Sequence, residues 1–216
     1  MIRRFSFGEF FPTGAVTERP APEKGPVPRF SVEEKDGRYS FVYEMKREDR
    51  VLGLGEQVRG MNKRGWVYRN YACDDNAHTE TKHSLYCAHN FFVVEGGVPF
   101  GVFFDCAGEI EFDIGYTDTD ILRVSLPCGA DLYFAEGDEV LGIVREFRKL
   151  FGKSYIPPKW AFGFMQSRYG YACEEDIRSV VRGYREVGMP LDSVCLDIDY
   201  MERYKDFTVS EQRFPN

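Results

Sequence analysis

From Phe30 onward the chain falls into short apolar-rich runs split by turn residues. RYSFVYEM at 38–45, WVYRNYA at 66–72, NFFVVE at 90–95, PFGVFFD at 99–105, EIEFDIGY at 109–116, ILRVSL at 121–126 and ADLYFAE at 130–136 are rich in Val, Ile, Phe and Tyr. Such side chains suit a pleated surface with a buried face, so each run predicts a strand. Glu95-Gly96-Gly97 and Cys128-Gly129 supply turns between them. Strands in series, with no helical segment between, predict an antiparallel β-sandwich. Upstream, residues 11–29 hold five prolines and no periodicity, which predicts an extended, partly ordered arm.

Near Glu136 the period lengthens. Val140, Leu141, Val144, Phe147, Leu150 and Phe151 follow helical spacing, with Asp138 and Glu139 in front, Arg148 and Lys149 behind, and Gly152 as the stop. Pro157-Pro158 then mark a domain boundary before a short apolar strand expected at Ala161–Met165. A second helix opens on Glu174, Glu175 and Asp176, carries the stripe Ile177, Val180, Val181, Tyr184, and stops at Gly188 and Pro190. SVCLDIDYM supplies another short strand. Strand, helix, strand in this order is a βαβ unit, so its two strands should be parallel. Two parallel strands and one helix cannot cover both of their own faces, so further elements are expected beyond Asn216.

Composition narrows the function classes. Of 216 residues, 43% are hydrophobic, 29% charged and 16% aromatic, and the net charge is −7. The aromatic share suits a packed β core or a sugar site that uses ring faces. A negative chain without a Lys/Arg stripe argues against nucleic acid. No apolar run approaches membrane-spanning length and the N-terminus does not read as a signal peptide, so no membrane partner and a cytoplasmic location are expected. The cysteines at 73, 87, 106, 128, 173 and 195 contain no C-x-x-C pair and read as small buried apolar residues. Cys73, His78, His83, Cys87 and His89 invite a zinc hypothesis, but their gaps miss the usual ligand spacing, so no metal and no cofactor are expected.

Candidate chemistry is carboxylate-based. Asp197 and Asp199 follow the second parallel strand, the edge where such folds gather ligands, and would share a face if the strand ran through them. There a carboxylate can accept two sugar hydroxyls. Capping of the next turn, or pairing with an arginine, is the equally weighted alternative. Asp74 and Asp75 lie in the polar loop YACDDNAHTETKHS, where adjacent carboxylates are usually just solvated. Gly53-Leu54-Gly55-Glu56 lacks the third glycine of a dinucleotide fingerprint and reads as a tight turn.

Taken together, GLGE at 53–56, LYCAHNFF at 85–92, PFGVFFD at 99–105, IPPKWAFGFMQSRYGY at 156–171 and PLDSVCLDIDYMERYKDFTVSEQRFP at 190–215 resemble glycoside hydrolase family 31, the α-glucosidase family. The likeness runs from about residue 50 to the end and is closest to the N-terminal portion of bacterial intracellular members. It implies a galactose-mutarotase-like β-sandwich with a linking helix over residues 1–155, then the first βαβ unit of a (β/α)8 barrel over 156–216. The implied fold is therefore a truncated multidomain protein, all-β then α/β. It also implies that Asp197 hydrogen-bonds the C4 hydroxyl of the terminal sugar and that Ile198 lines the same pocket. By the same likeness Asp74 reaches over the barrel mouth, with Asp75 as the fallback. Tyr169 stands where many relatives carry Trp and borders the leaving-sugar subsite. Asp206, Phe207 and Thr208 match the family's DFT and are assigned to loop packing.

The implied function is the front part of a retaining α-glucosidase acting on maltose- or isomaltose-type oligosaccharides. Its nucleophile and acid/base are implied to be aspartates on later barrel strands, with no catalytic residue in this chain. The 216 residues alone are therefore expected to be inactive. The expected partners are an α-glucoside oligosaccharide and the remainder of the barrel, with a second copy as a further candidate. Two alternatives stay open: a non-catalytic carbohydrate-binding or mutarotase-like sandwich, and a structural domain that docks a barrel.

Overall fold

Ile110, Phe112 and Ile114 are fully buried while Glu111 and Asp113 between them stay partly exposed, and Leu122, Val124 and Leu126 repeat the pattern one strand on. This period of two organises the first of the chain's two units, Met1–Lys153. The computed structural model describes residues 1–215. One antiparallel sheet joins β1 (Arg3–Phe7), β10 (Ala130–Glu136), β7 (Phe100–Asp105), β6 (Ala88–Glu95) and β4 (Arg50–Gly55) in that order. The other joins β2 (Ser31–Lys35), β3 (Arg38–Glu44), β9 (Ile121–Leu126), β8 (Ile110–Ile114) and β5 (Trp66–Asn70). Their inner faces meet in one core. Phe41 of β3 packs edge-on against Phe104 of β7 at 5.1 Å, and Phe92 of β6 against Phe112 of β8 at 6.0 Å.

Every residue of β7, and all of β10 but Glu136, is buried, because the outer face of their sheet is covered too. The helix α1 (Val140–Lys149) lays Ile143 over Val93 and Ala135, while Phe147 stacks on Phe91 at 3.7 Å. Gly101 permits this approach, since a Cβ there would drive into the Ile143 methyl and the Phe91 ring. The proline-rich arm has no regular element beyond a single bridge between Arg4 and Pro22, yet it is tied down. Asp105, fully buried at the end of β7, accepts from the Thr13 N–H and hydroxyl, both at 2.7 Å, and pairs with Arg19 at 3.3 Å. Thr17 N–H donates to the Leu150 carbonyl at 2.8 Å.

Two expectations about local structure change. Gly53-Leu54-Gly55 is no isolated turn; it ends β4 in a bulge against β6. All three residues have positive φ, and a Cβ on Gly53 or Gly55 would sit 2.5 Å from the carbonyl oxygen of Phe91 or Cys87. The glycines let the two backbones close up while Leu54 is buried. In the second unit, from Ser154 onward, the expected strand at Ala161–Met165 lies further on. After Pro158, Lys159–Phe162 winds into a single 3-10 turn, and β11 covers Met165–Ser167. Asp192 sets this start by accepting from the Phe164 N–H at 3.0 Å.

The rest of the unit is a βαβ arrangement. α2 (Glu174–Glu186) begins on three acidic residues, and the Ala172 N–H donates back to Asp176 at 2.9 Å. It ends on Gly188 at φ 68°, with Met189 N–H bonded to the Tyr184 carbonyl. β12 (Ser193–Cys195) runs parallel to β11, with Met165 opposite Ser193 and Ser167 opposite Cys195. No side chain of α2 is buried. Among the described residues, no helix is long and apolar enough to cross a membrane.

Candidate functional site

In the second unit the strand register aligns two candidate residues. Ser167 and Cys195 face each other as the last residues of β11 and β12, and Tyr169 and Asp197 each follow two positions later. Both therefore leave the carboxyl edge of the parallel pair, where strands end and loops are free to carry ligand groups. The premise that β12 continues through Asp199 fails. β12 stops at Cys195, and Ile198–Tyr200 forms a 3-10 turn. Asp197 caps that turn, its Oδ1 accepting from the Ile198 N–H at 2.7 Å. Capping occupies one oxygen and fixes the rotamer, leaving the other oxygen without a hydrogen bond among the described residues. Asp197 forms no ion pair with a basic side chain among the described residues.

Around it, Ile198 and Tyr169 are largely exposed. Asp199 lies against the tip of the Tyr169 turn: a Cβ on Gly170 would sit 2.6 Å from its Oδ2. Its Oδ1 accepts from the Tyr204 hydroxyl at 3.3 Å. Gly170, at φ 76°, thus lets the two strand-end loops touch. The DFT assignment divides. Thr208 closes its loop by accepting from the Glu202 N–H at 2.9 Å and donating to the Lys205 carbonyl at 2.6 Å. Phe207, in contrast, is fully exposed at φ 62°, so its ring does no packing within the loop.

In the first unit Asp74 and Asp75 sit on the loop joining β5 to β6. Its stem is closed by Arg69 N–H to the His83 carbonyl at 3.0 Å and Cys73 N–H to the Leu85 carbonyl at 3.1 Å. The two acids have different tasks. Asp75 pairs with Lys82 across the loop and accepts the Ala77 N–H at 2.9 Å, and these two donors hold its carboxyl below the usual carboxylate range. Asp74 is exposed and lies beside the Tyr86 hydroxyl. Desolvation and the Asp74 charge together push that phenol up. Asp75 is thus consumed by the loop, while Asp74 presents its carboxylate outward.

Several positioning residues escaped the sequence reading. Arg59 is 9% exposed, its guanidinium 3.9 Å from the Trp66 ring centroid and 5.0 Å from that of Tyr68. It donates to the Val67 carbonyl at 3.1 Å and, through Nε, to the Glu80 carbonyl in the Asp74 loop. At the loop's base Asn70 Nδ2 donates to Asn90 Oδ1 at 2.7 Å, and Asn90 donates on to the carbonyls of Phe104 and Cys106. Nothing in spacing marks these contacts. The residues weighed as zinc ligands lie apart in role: His83 bonds the Val67 carbonyl, His78 packs on the Tyr86 ring, His89 on Phe91, Phe103 and Phe147, and Cys73 faces the Ser84 carbonyl, while Cys87, expected to be buried, is exposed. Among the described residues no three His, Cys, Asp or Glu side chains gather as a metal site.

Comparison with known proteins fits both units. Residues 13–113 match the model described as the glycosyl hydrolase 31 N-terminal galactose mutarotase-like domain, and residues 154–216 match the glycosyl hydrolases family 31 TIM-barrel domain. An α-glucosidase of Saccharolobus solfataricus is 33% identical over 170 residues, covering 78% of this chain and 24% of that protein. Alpha-glucosidase 2 of Bacillus thermoamyloliquefaciens is 36% identical over 175 residues, covering 80% and 22%. The chain therefore spans about a quarter of the length of these curated relatives. A GH31 dextranase of Flavobacterium johnsoniae, solved in complex with isomaltotriose, superposes with a TM-score of 0.79 at 28% identity, covering 88% of this chain and 23% of that one.

Proposed function

The chain belongs to glycoside hydrolase family 31, a galactose-mutarotase-like sandwich leading into the first βαβ unit of a barrel, and on that footing we propose that it is the sugar-gripping front of a retaining α-glucosidase. Asp197 accepts hydroxyls of the terminal glucose, Ile198 lines the same pocket, and Tyr169 borders the site of the leaving sugar. Asp74 adds a carboxylate from the sandwich loop. A retaining reaction needs two carboxyl groups about 5 Å apart, and in this reading both fall to later barrel strands, as the resemblance to the family implies. The observation that carries this reading is the register: Tyr169 and Asp197 extend equally beyond the paired ends Ser167 and Cys195.

The chemistry suits a neutral, hydroxyl-rich ligand. The turn already satisfies one oxygen of Asp197, so the carboxylate is held in place with acceptor capacity to spare. The substrates proposed are glucosides of maltose or isomaltose type. The stripe Ile177, Val180, Val181 and Tyr184 on α2 is only partly buried, with Tyr184 against Phe164 and Gln166, and its uncovered part is proposed as surface for the remaining barrel. In the enzyme with a complete barrel, Asp197→Ala should lower kcat/KM for maltose and isomaltose by about 100-fold or more, the worth of two charge-assisted hydrogen bonds. Asp74→Ala should raise KM or lower kcat by a smaller factor, and Asp75→Ala should act through loop order alone. Unchanged kcat/KM in Asp197→Ala, with the fold intact, would remove the basis for the proposal.

A further inference from the structure

One pair of cysteines is in side-chain contact. Cys106 follows the last residue of β7 and joins the sandwich core at 2% exposure. Cys128 lies in the turn between β9 and β10 and is half-buried. Their sulfur atoms are 3.7 Å apart. No other two cysteine sulfurs come into contact among the described residues.

The backbones on either side are fixed. The Cys106 carbonyl accepts from Asn90 Nδ2 at 3.2 Å, and the next N–H, of Ala107, donates to the Phe11 carbonyl at 3.1 Å. Beyond Cys128, Gly129 is pressed so closely on Phe7 and Gly8 that no Cβ would fit. Asp131 pairs with Asp105, so the two cysteines leave the ends of paired strands, and a disulfide would bring their sulfurs from 3.7 Å to about 2 Å.

We propose that Cys106 and Cys128 form a ready dithiol that a hydroperoxide converts to an intramolecular disulfide, clamping β7 to the β9–β10 turn. Cys128, the more accessible sulfur, reacts first as its thiolate. It attacks a peroxide oxygen, becomes the sulfenic acid and releases hydroxide or an alkoxide. The Cys106 sulfur then attacks Cys128, the sulfenic hydroxyl leaves with the Cys106 proton as water, and the S–S bond forms. The peroxide takes up the two electrons. Burial pushes the Cys106 thiol up to about 11, which keeps it protonated until that second step.

The test is thiol counting on the 216-residue chain after hydrogen peroxide. Thiols titrated in urea should fall from six to four, and peptide mapping should join Cys106 to Cys128. Closing the segment 107–127 should shift the unfolding equilibrium toward the native state by on the order of a hundredfold, reversed by dithiothreitol. Cys128→Ser should keep all of its remaining thiols. Should that variant fold poorly, a chain with Cys73, Cys87, Cys173 and Cys195 replaced by Ser should go from two thiols to none. Six thiols persisting, any other pairing, or sulfinic acid at Cys128 with Cys106 still free would each overturn the proposal.

Discussion

Replacing Arg59 by methionine keeps a long apolar stem in the sandwich but deletes the guanidinium that ties the Asp74 loop down. Two hydrogen bonds go, to the carbonyls of Glu80 and Val67, together with stacking on Trp66 and Tyr68. Charge-assisted bonds of this kind contribute about 1.5–3 kcal/mol each, and a desolvated cation–π contact about 2 kcal/mol. Against this stands the cost of burying the guanidinium, which the substitution relieves. Relief extends to Lys63, whose ammonium burial and Arg59 together push below the usual lysine value. The balance is a loss of about 2 kcal/mol, or about 30-fold in the opening equilibrium of the loop.

Hydrogen exchange followed by mass spectrometry reads this directly. Amides of residues 79–85 in Arg59→Met should exchange about 30-fold faster, while those of β7 and β10 change little, since the opening is local. In an enzyme with the whole barrel, the same variant should raise KM through Asp74 without abolishing turnover. If loop exchange in Arg59→Met stays within twofold of the parent, Arg59 does not hold the loop and the reasoning fails.

Other consequences are equally direct. Gly101→Val forces a side chain into Ile143 and Phe91 under α1 and should cost about 1–3 kcal/mol, read as a fall in the urea midpoint; an unchanged midpoint contradicts the packing described. Tyr133 is pushed up to about 12 by burial and the nearby Asp131, and Tyr43 is raised by burial and Asp49. Unfolded tyrosines ionise near pH 10, so the native state holds more protons above that value and stability should fall as pH rises from about 10 to 12. Urea midpoints across that range check it, and Tyr133→Phe should flatten the fall; stability that holds level there would refute the assignment. Gly53→Ala, at φ 121° with Phe91 O at 2.5 Å, should open the β4–β6 bulge and cost more than an ordinary exposed Gly→Ala change; calorimetry showing equal stability argues against the bulge.

A pattern of Val, Ile, Phe and Tyr runs split by turn residues marked β3 and β5–β10, which alternate in burial along β8 and β9 but are buried on both faces in β7 and in β10 up to Glu136. It missed three strands for physical reasons. β2 is SVEEK at a sheet edge, mostly exposed, so it has no buried face to advertise. β1, RRFSF, buries Phe5 but spends Arg4 and Ser6 on the buried Asp131. β4 ends in glycines that resemble a turn until β6 is seen closing on them. The apolar run Ala161–Met165 suggested a strand, but so short a run does not by itself separate strand from turn, and after Pro158 a 3-10 turn runs through Phe162 before β11 starts at Met165.

The site divides in the same way. Asp197, Ile198, Tyr169 and Asp74 could be named as candidates because of a resemblance to a family, and α2 could be drawn because its end signals and stripe agree. What distinguishes Asp74 from Asp75 is not in the sequence, since Lys82 and the Ala77 N–H meet Asp75 only once the loop folds. Arg59 was hidden likewise: its partners are backbone carbonyls and ring faces, which leave no pattern in residue type.

The role of Asp197 can be seen in a crystal structure of the complete enzyme holding an uncleaved α-glucoside. The free oxygen of Asp197 should lie within hydrogen-bond distance of two hydroxyls on the terminal glucose. Density showing the sugar bound elsewhere, with Asp197 hydrogen-bonded only to the Ile198 N–H, would contradict it.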